Sequence, residues 1–165
     1  MHRLTLLIAM LLPATALAGG NSDSCAPFFQ ALLQVPHESL VRHDGLFTSQ
    51  WSQHCVEGCL LVMDTDQARL GSQSLADLSA DPGTPLYQDG WRNNPSLSAD
   101  GAGTGVVGLE RDGALCLVFT EQSSFIDDKG KLVQSETINV RVECPVGIQG
   151  DGPCPGDEAC AGSCK

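Results

Sequence analysis

GVVGLERDGALCLVFTE, residues Gly105 to Glu121, decides how this chain folds. Two apolar runs, Gly105–Glu110 and Ala114–Glu121, flank Arg111-Asp112-Gly113. Asp-Gly between such runs is a strong hairpin signal, because both central residues of the tight turn take positive φ. Downstream, Asp127-Asp128-Lys129-Gly130 turns the chain toward a third run. There Ile138, Val140 and Val142 alternate with Asn139, Arg141 and Glu143, the period of a half-buried strand with its polar set facing water.

Upstream, Cys59-Leu60-Leu61-Val62-Met63 is a continuous apolar run bounded by Gly58 and by Asp64-Thr65-Asp66. It reads as a buried central strand over 58–64. Before it, Phe28, Leu32 and Val35 share one face of a helix expected over about 25–35. Ser24 is its expected cap, Pro27 is tolerated in its first turn and Pro36 ends it. The fold class is therefore α+β: an N-terminal helix packed on an antiparallel sheet of about four strands. Residues 37–53 are ambiguous, with Asp44-Gly45 expected as a turn. Residues 65–103 form a polar region too long for a structureless loop in a compact domain. Short elements are expected there around Leu75–Leu78 and Leu86–Trp91.

The two ends of the chain set its chemistry. Arg3, the apolar stretch Leu4–Leu12 and Ala16-Leu17-Ala18 have the order of an export signal, with cleavage expected after Ala18. The apolar stretch is short of the roughly 20 residues a spanning helix needs. Gly20 also stands where a lipoprotein signal would need a lipid-bearing cysteine, so no membrane anchor is expected after cleavage. The expected organisation is a signal over 1–18, one domain over 19–144, and a Cys-, Gly- and Pro-rich tail over 145–165 stapled to it.

Eight cysteines, Cys25, Cys55, Cys59, Cys116, Cys144, Cys154, Cys160 and Cys164, all follow that signal. In an oxidising compartment they read as four disulfides, each contributing about 2–4 kcal/mol. Three lie in the tail and five in the body, so complete pairing needs a bridge between them. The spacings Cys55–Cys59 and Cys160–Cys164 also allow these two pairs to cross-link each other. There is no Cys-x-x-Cys, the spacing of a thioredoxin-type dithiol.

The 165 residues carry 9 Lys and Arg against 20 Asp and Glu, a net charge of −11. Losing Arg3 with the signal leaves 8 basic residues against the same 20 acidic ones, or −12. Nucleic acid and anionic lipid are disfavoured as partners, because both are held by Lys and Arg. The acids are dispersed, as on a solvated surface.

Motifs with chemical meaning are incomplete. Gly103-Thr104-Gly105-Val106-Val107-Gly108 matches Gly-x-Gly-x-x-Gly, but a dinucleotide site needs that pattern to follow a strand and open a helix. Here it opens a hairpin, so its glycines serve turn geometry and no cofactor is expected. Asp64-Thr65-Asp66 begins like a calcium loop, yet Ala68 and Arg69 stand where a ligand and a glycine belong. Asp100-Gly101-Ala102-Gly103 is equally incomplete. His37, His43 and His54 fall close together in sequence but lack a zinc-site spacing. Trp51 and Trp91 are expected in the core. No catalytic or metal-ligating residue is assigned.

The expected function is that of a small periplasmic or secreted binding or accessory module, non-enzymatic, with an unknown protein or small-molecule ligand. Its contact surface is expected in the 65–103 segment, since binding residues concentrate on loops held by a rigid scaffold. The alternatives are a small envelope hydrolase, metal-assisted through His37, His43 and His54, and a structural envelope component.

Overall fold

The structure, a computed structural model, describes residues 23–70, 78–101, 103–148, 152 and 154. The expected export signal and residues 75–77 of the expected Leu75–Leu78 element lie outside these residues, as do Cys160 and Cys164.

Six strands form one sheet: β1 (Ser39–Thr48), β2 (Cys55–Asp66), β3 (Arg92–Gly101), β4 (Thr104–Arg111), β5 (Ala114–Ile126) and β6 (Leu132–Ile148). Their order is β1-β2-β6-β5-β4-β3, and every pairing is antiparallel. Helices are minor: α1 (Ala26–Leu33) and the single turns α2 (Gln67–Leu70) and α3 (Pro85–Gln88). The mixed class stands, but the sheet has six strands rather than about four.

The β4–β5 hairpin turns at Asp112 (φ 51°) and Gly113 (φ 82°), with Arg111 opposite Ala114. At the next turn the Asp127 carboxylate accepts from the Lys129 and Lys131 amides, folding the chain into β6. The two strands not expected are both at sheet edges. In β1, Asp44-Gly45 is no turn: Gly45 (φ 129°) bends a strand that stays paired with β2 from Ser39 to Thr48. β3 occupies the end of the polar segment, with Pro95 inside a register shift between Asn94 and Ala99. Proline, lacking an N–H, belongs at such an edge or bulge.

One face of the sheet carries the main core. Leu61 and Met63 of β2, Ile138, Val140 and Val142 of β6, Val118 of β5 and Leu109 of β4 meet Phe28 and Leu32 of α1, Leu86 of α3 and Trp91. Phe28 and Trp91 stack edge to face at 4.9 Å. The cap of α1 is Cys25 rather than Ser24: the Cys25 carbonyl accepts from the Phe29 amide, and the Asp23 carboxylate accepts from the Cys25 amide. Trp91 is core as expected, whereas Trp51 is 46% exposed in the β1–β2 connection.

Three disulfides lie among the described residues: Cys25–Cys59, Cys55–Cys154 and Cys116–Cys144. Cys55 and Cys59 therefore take separate partners, and the cross-linking of Cys55–Cys59 with Cys160–Cys164 does not occur. β6 also runs on through Pro145 to Ile148, past the expected start of the tail, with Gly147 opposite Glu57. Among the described residues no helix is long and apolar enough to cross a membrane.

Glu143 departs from its expected solvent-facing position. It points to the back of the sheet and is fully buried. Its carboxylate accepts from Ser49 Oγ (2.7 Å), the Gln50 amide (2.7 Å) and Arg141 Nε (2.6 Å), while Arg141 Nη2 donates to the Thr48 carbonyl (2.7 Å). The β1–β2 connection folds over this strand and supplies the bonds that alternation alone does not reveal.

Two substitutions test these packing relations. Glu143→Ala leaves the partly buried Arg141 guanidinium, the Gln50 amide and the buried Ser49 hydroxyl without their acceptor, and should cost about 1–3 kcal/mol. A urea midpoint unchanged from wild type would refute that role. Gly58→Ala would place a Cβ 2.3 Å from the Cys144 carbonyl oxygen. That contact is with backbone, so β2 and β6 must separate, and thermal unfolding should fall by several degrees.

Candidate functional site

A cavity of about 480 Å³ lies at the β3 end of the sheet, partly on its back face. Arg92, Asn94 and Leu97 come from β3, Glu110 and Arg111 from the end of β4, and Ala114 and Leu115 from the start of β5. The cavity exists because β3 bulges at 95–98 and folds Leu97 over the back of the sheet. Gly108 makes this possible: a Cβ there would stand 2.5 Å from Leu97 Cβ. The apolar cluster of Val106, Leu117 and Phe119, with Leu97 and Leu115 against it, forms the adjoining floor.

Both arginines are held in fixed planes. Arg92 lies 4.1 Å over the Tyr87 ring and donates through Nη1 to the Tyr87 and Trp91 carbonyls, at 2.9 and 2.6 Å. Arg111 lies 4.9 Å over the Trp91 ring and pairs with Asp89. These contacts use one Nη of each guanidinium. Among the described residues no protein group accepts from the remaining N–H groups of either. Thr84 makes the approach rigid, accepting from the Tyr87 amide as cap of α3. Glu110 stands opposite Arg92 across the β3–β4 pair and accepts from Asn94 Nδ2 at 3.0 Å. With Asp112 also in the wall, two arginines and two carboxylates line one cavity.

The sequence motifs sort differently. The glycines of Gly-x-Gly-x-x-Gly answer to local sterics: Gly103 has φ 79° and a Cβ there would meet the Gln122 carbonyl at 2.5 Å, while Gly108 makes room for Leu97. Asp64 accepts from Ser39 Oγ and Asn139 Nδ2, and Asp66 accepts from the Arg69 amide at the start of α2. The histidines do not converge. His37 bonds the Val35 carbonyl, His43 the Leu46 carbonyl, and His54 Nδ1 accepts from the Gly152 amide. Among the described residues no group of three His, Cys, Asp or Glu is placed to hold a metal ion.

A second cavity, about 360 Å³, opens at the start of α1 between Asp23, Arg42, Asp44, Glu57 and the half-cystines 25, 59 and 144. Arg42 donates to both Asp44 oxygens and to Asp23 Oδ2 at 2.8 Å. The hydrogen bonds from Arg42, and then its charge, hold the Asp44 carboxyl below its usual range; the same bonds raise Arg42. Comparison of this chain with protein-family models, curated proteins and solved structures finds no match.

A depressed carboxyl contributes stability that is complete above its ordinary pKa and is lost as pH falls through the depressed value. Arg42→Ala should therefore move the Asp44 titration upward, toward the ordinary aspartate range. Side-chain carboxyl NMR across the acid range checks this, and an unmoved midpoint would show that the guanidinium does not set it.

Proposed function

We propose that this chain is an exported, non-enzymatic binding module whose ligand occupies the cavity beside β3. The observation that carries the reading is the mixed charge of that cavity: Arg92 and Arg111, stacked on aromatic rings, line it together with Glu110 and Asp112. Guanidinium edges with unused N–H groups suit a carboxylate, and nearby carboxylates suit an ammonium group. A small zwitterion, a free amino acid or unblocked short peptide, satisfies both at once. Pre-ordered side chains lose little freedom on binding, which favours recognition over loosely held surface charges.

The site uses Arg92, Asn94 and Leu97 from the 65–103 segment together with the neighbouring hairpin. Export is supported by the order of charge, apolar stretch and small residues at the N-terminus. It is supported too by three disulfides, a chemistry that persists in oxidising compartments.

Glycylglycine and its N-acetylated amide separate this reading from general polar stickiness. Amide NMR at millimolar ligand should show shifts over Glu110–Leu115 with the zwitterion. The doubly blocked analogue should produce none, and Arg92→Met should abolish the response. Equal shifts from both ligands, or none from either, would overturn the assignment.

A further inference from the structure

The pairings of β6 place three cysteines side by side across the sheet. Cys59 of β2 stands directly opposite Cys144 of β6, and Cys144 is bonded to Cys116 on β5, its other neighbour. Cys25 descends from the start of α1 to bond Cys59. Cys116 Sγ lies 3.9 Å from the Ser24 carbonyl oxygen, so the second disulfide sits beside the first. Directly opposed residues of antiparallel strands are about 4.5–5.5 Å apart, within the roughly 4.4–6.8 Å a disulfide spans. Cys144 thus has two partners within reach and is bonded to one. Gly58 permits the close β2–β6 approach immediately beside this pair.

We propose that these four cysteines form a thiol–disulfide exchange site in which Cys144 can bond either Cys116 or Cys59. The second cavity is its opening, since Cys25, Cys59 and Cys144 line it. Cys59 is the most exposed of the four at 8%, against 2% for Cys144 and 0% for Cys25 and Cys116. The external reactant is a dithiol. One of its thiolates attacks Cys59 Sγ, forms a mixed disulfide and expels Cys25 as a thiolate. Its second thiol resolves the mixed disulfide, so the dithiol leaves oxidised, and Cys25 and Cys59 hold two electrons and two protons.

The Cys59 thiolate then attacks Cys144 Sγ. The Cys59–Cys144 bond forms and the Cys116–Cys144 bond breaks. Cys116 leaves as a thiolate and takes up the proton that Cys59 gave. The reducing equivalents finish on Cys25 and Cys116, neither of which is exposed. Asp23, Asp44 and Glu57 outweigh Arg42 around the opening, which disfavours thiols that carry carboxylates and makes a dithiol with no charged group besides its reacting thiolate the suitable reactant.

The internal step is isolated in Cys25→Ser, which leaves Cys59 without its partner and needs no reductant. The exported variant is acid-quenched, alkylated with N-ethylmaleimide and digested without reduction. Exchange predicts label on Cys116 as well as Cys59, and a Cys59–Cys144 cross-linked peptide. Label on Cys59 alone, with Cys116–Cys144 intact, would overturn the proposal. Cys116→Ser runs the exchange from the other end and should place label on Cys25 as well as Cys144. Should either variant fail to fold, wild type treated with substoichiometric dithiothreitol reports the same isomer. Finding only the two original bridges and their fully reduced forms there counts against exchange.

Discussion

The sheet depends on β6. Residues 39–66 form one antiparallel pair, β1–β2, and residues 92–126 form a three-strand meander, β3–β4–β5. Only the insertion of β6 between β2 and β5 makes these one sheet. β6 therefore has to satisfy two neighbours through its backbone and two environments through its side chains. Ile138, Val140 and Val142 bury against the helices, while Arg141 and Glu143 bind the β1–β2 connection on the back. Such a strand, last in sequence and interior in the sheet, ties folding of the meander to folding of the N-terminal pair through long-range contacts.

That arrangement governs where chemistry can sit. The centre of the sheet is occupied by side chains whose polar atoms are paired; the carboxylate of Glu143 alone accepts three hydrogen bonds. Unused hydrogen-bonding capacity is found at the β3 edge, where a bulge separates β3 from full pairing with β4. There the structure holds Arg92 and Arg111 rigid through aromatic faces and carbonyls, yet leaves N–H groups facing a cavity. Rigidity with unspent donors distinguishes this place from the dispersed surface acids elsewhere.

What the sequence discloses follows from how local each signal is. Asp112-Gly113 requires only its own positive φ angles, and the alternation of Ile138, Val140 and Val142 requires only a strand with one apolar side. Both are readable directly. β3 has no such pattern, because its side chains are nearly all exposed or half-buried and its pairing depends on β4. β1 is concealed by Asp44-Gly45, a turn dipeptide that here bends a paired strand. Glu143 looks solvent-facing until the β1–β2 connection, nearly a hundred residues earlier in sequence, closes over it. In the cavity, Pro95 and Gly108 were the available signals: a proline marking an edge bulge and a glycine marking a close backbone approach. Neither reveals which charges the bulge would gather.

The disulfides divide in the same way between chain entropy and folded geometry. Cys25–Cys59 and Cys116–Cys144 close separations of 34 and 28 residues, whereas Cys59–Cys144 would close 85 by their numbers. In an unfolded chain the longer closure is disfavoured by about 1 kcal/mol relative to the 28-residue one. Chain entropy therefore favours Cys25–Cys59 and Cys116–Cys144 over Cys59–Cys144, although Cys55–Cys154 closes 99 residues and forms in the folded sheet. Once the sheet has formed, Cys59, Cys144 and Cys116 are already aligned, and no loop remains to be closed by either choice. The preference among partners then rests on local packing of four small, apolar sulfur side chains. Loop entropy and strand alignment thus act on different pairs: the first separates Cys59–Cys144 from the two shorter bridges, and the second sets Cys59 directly opposite Cys144.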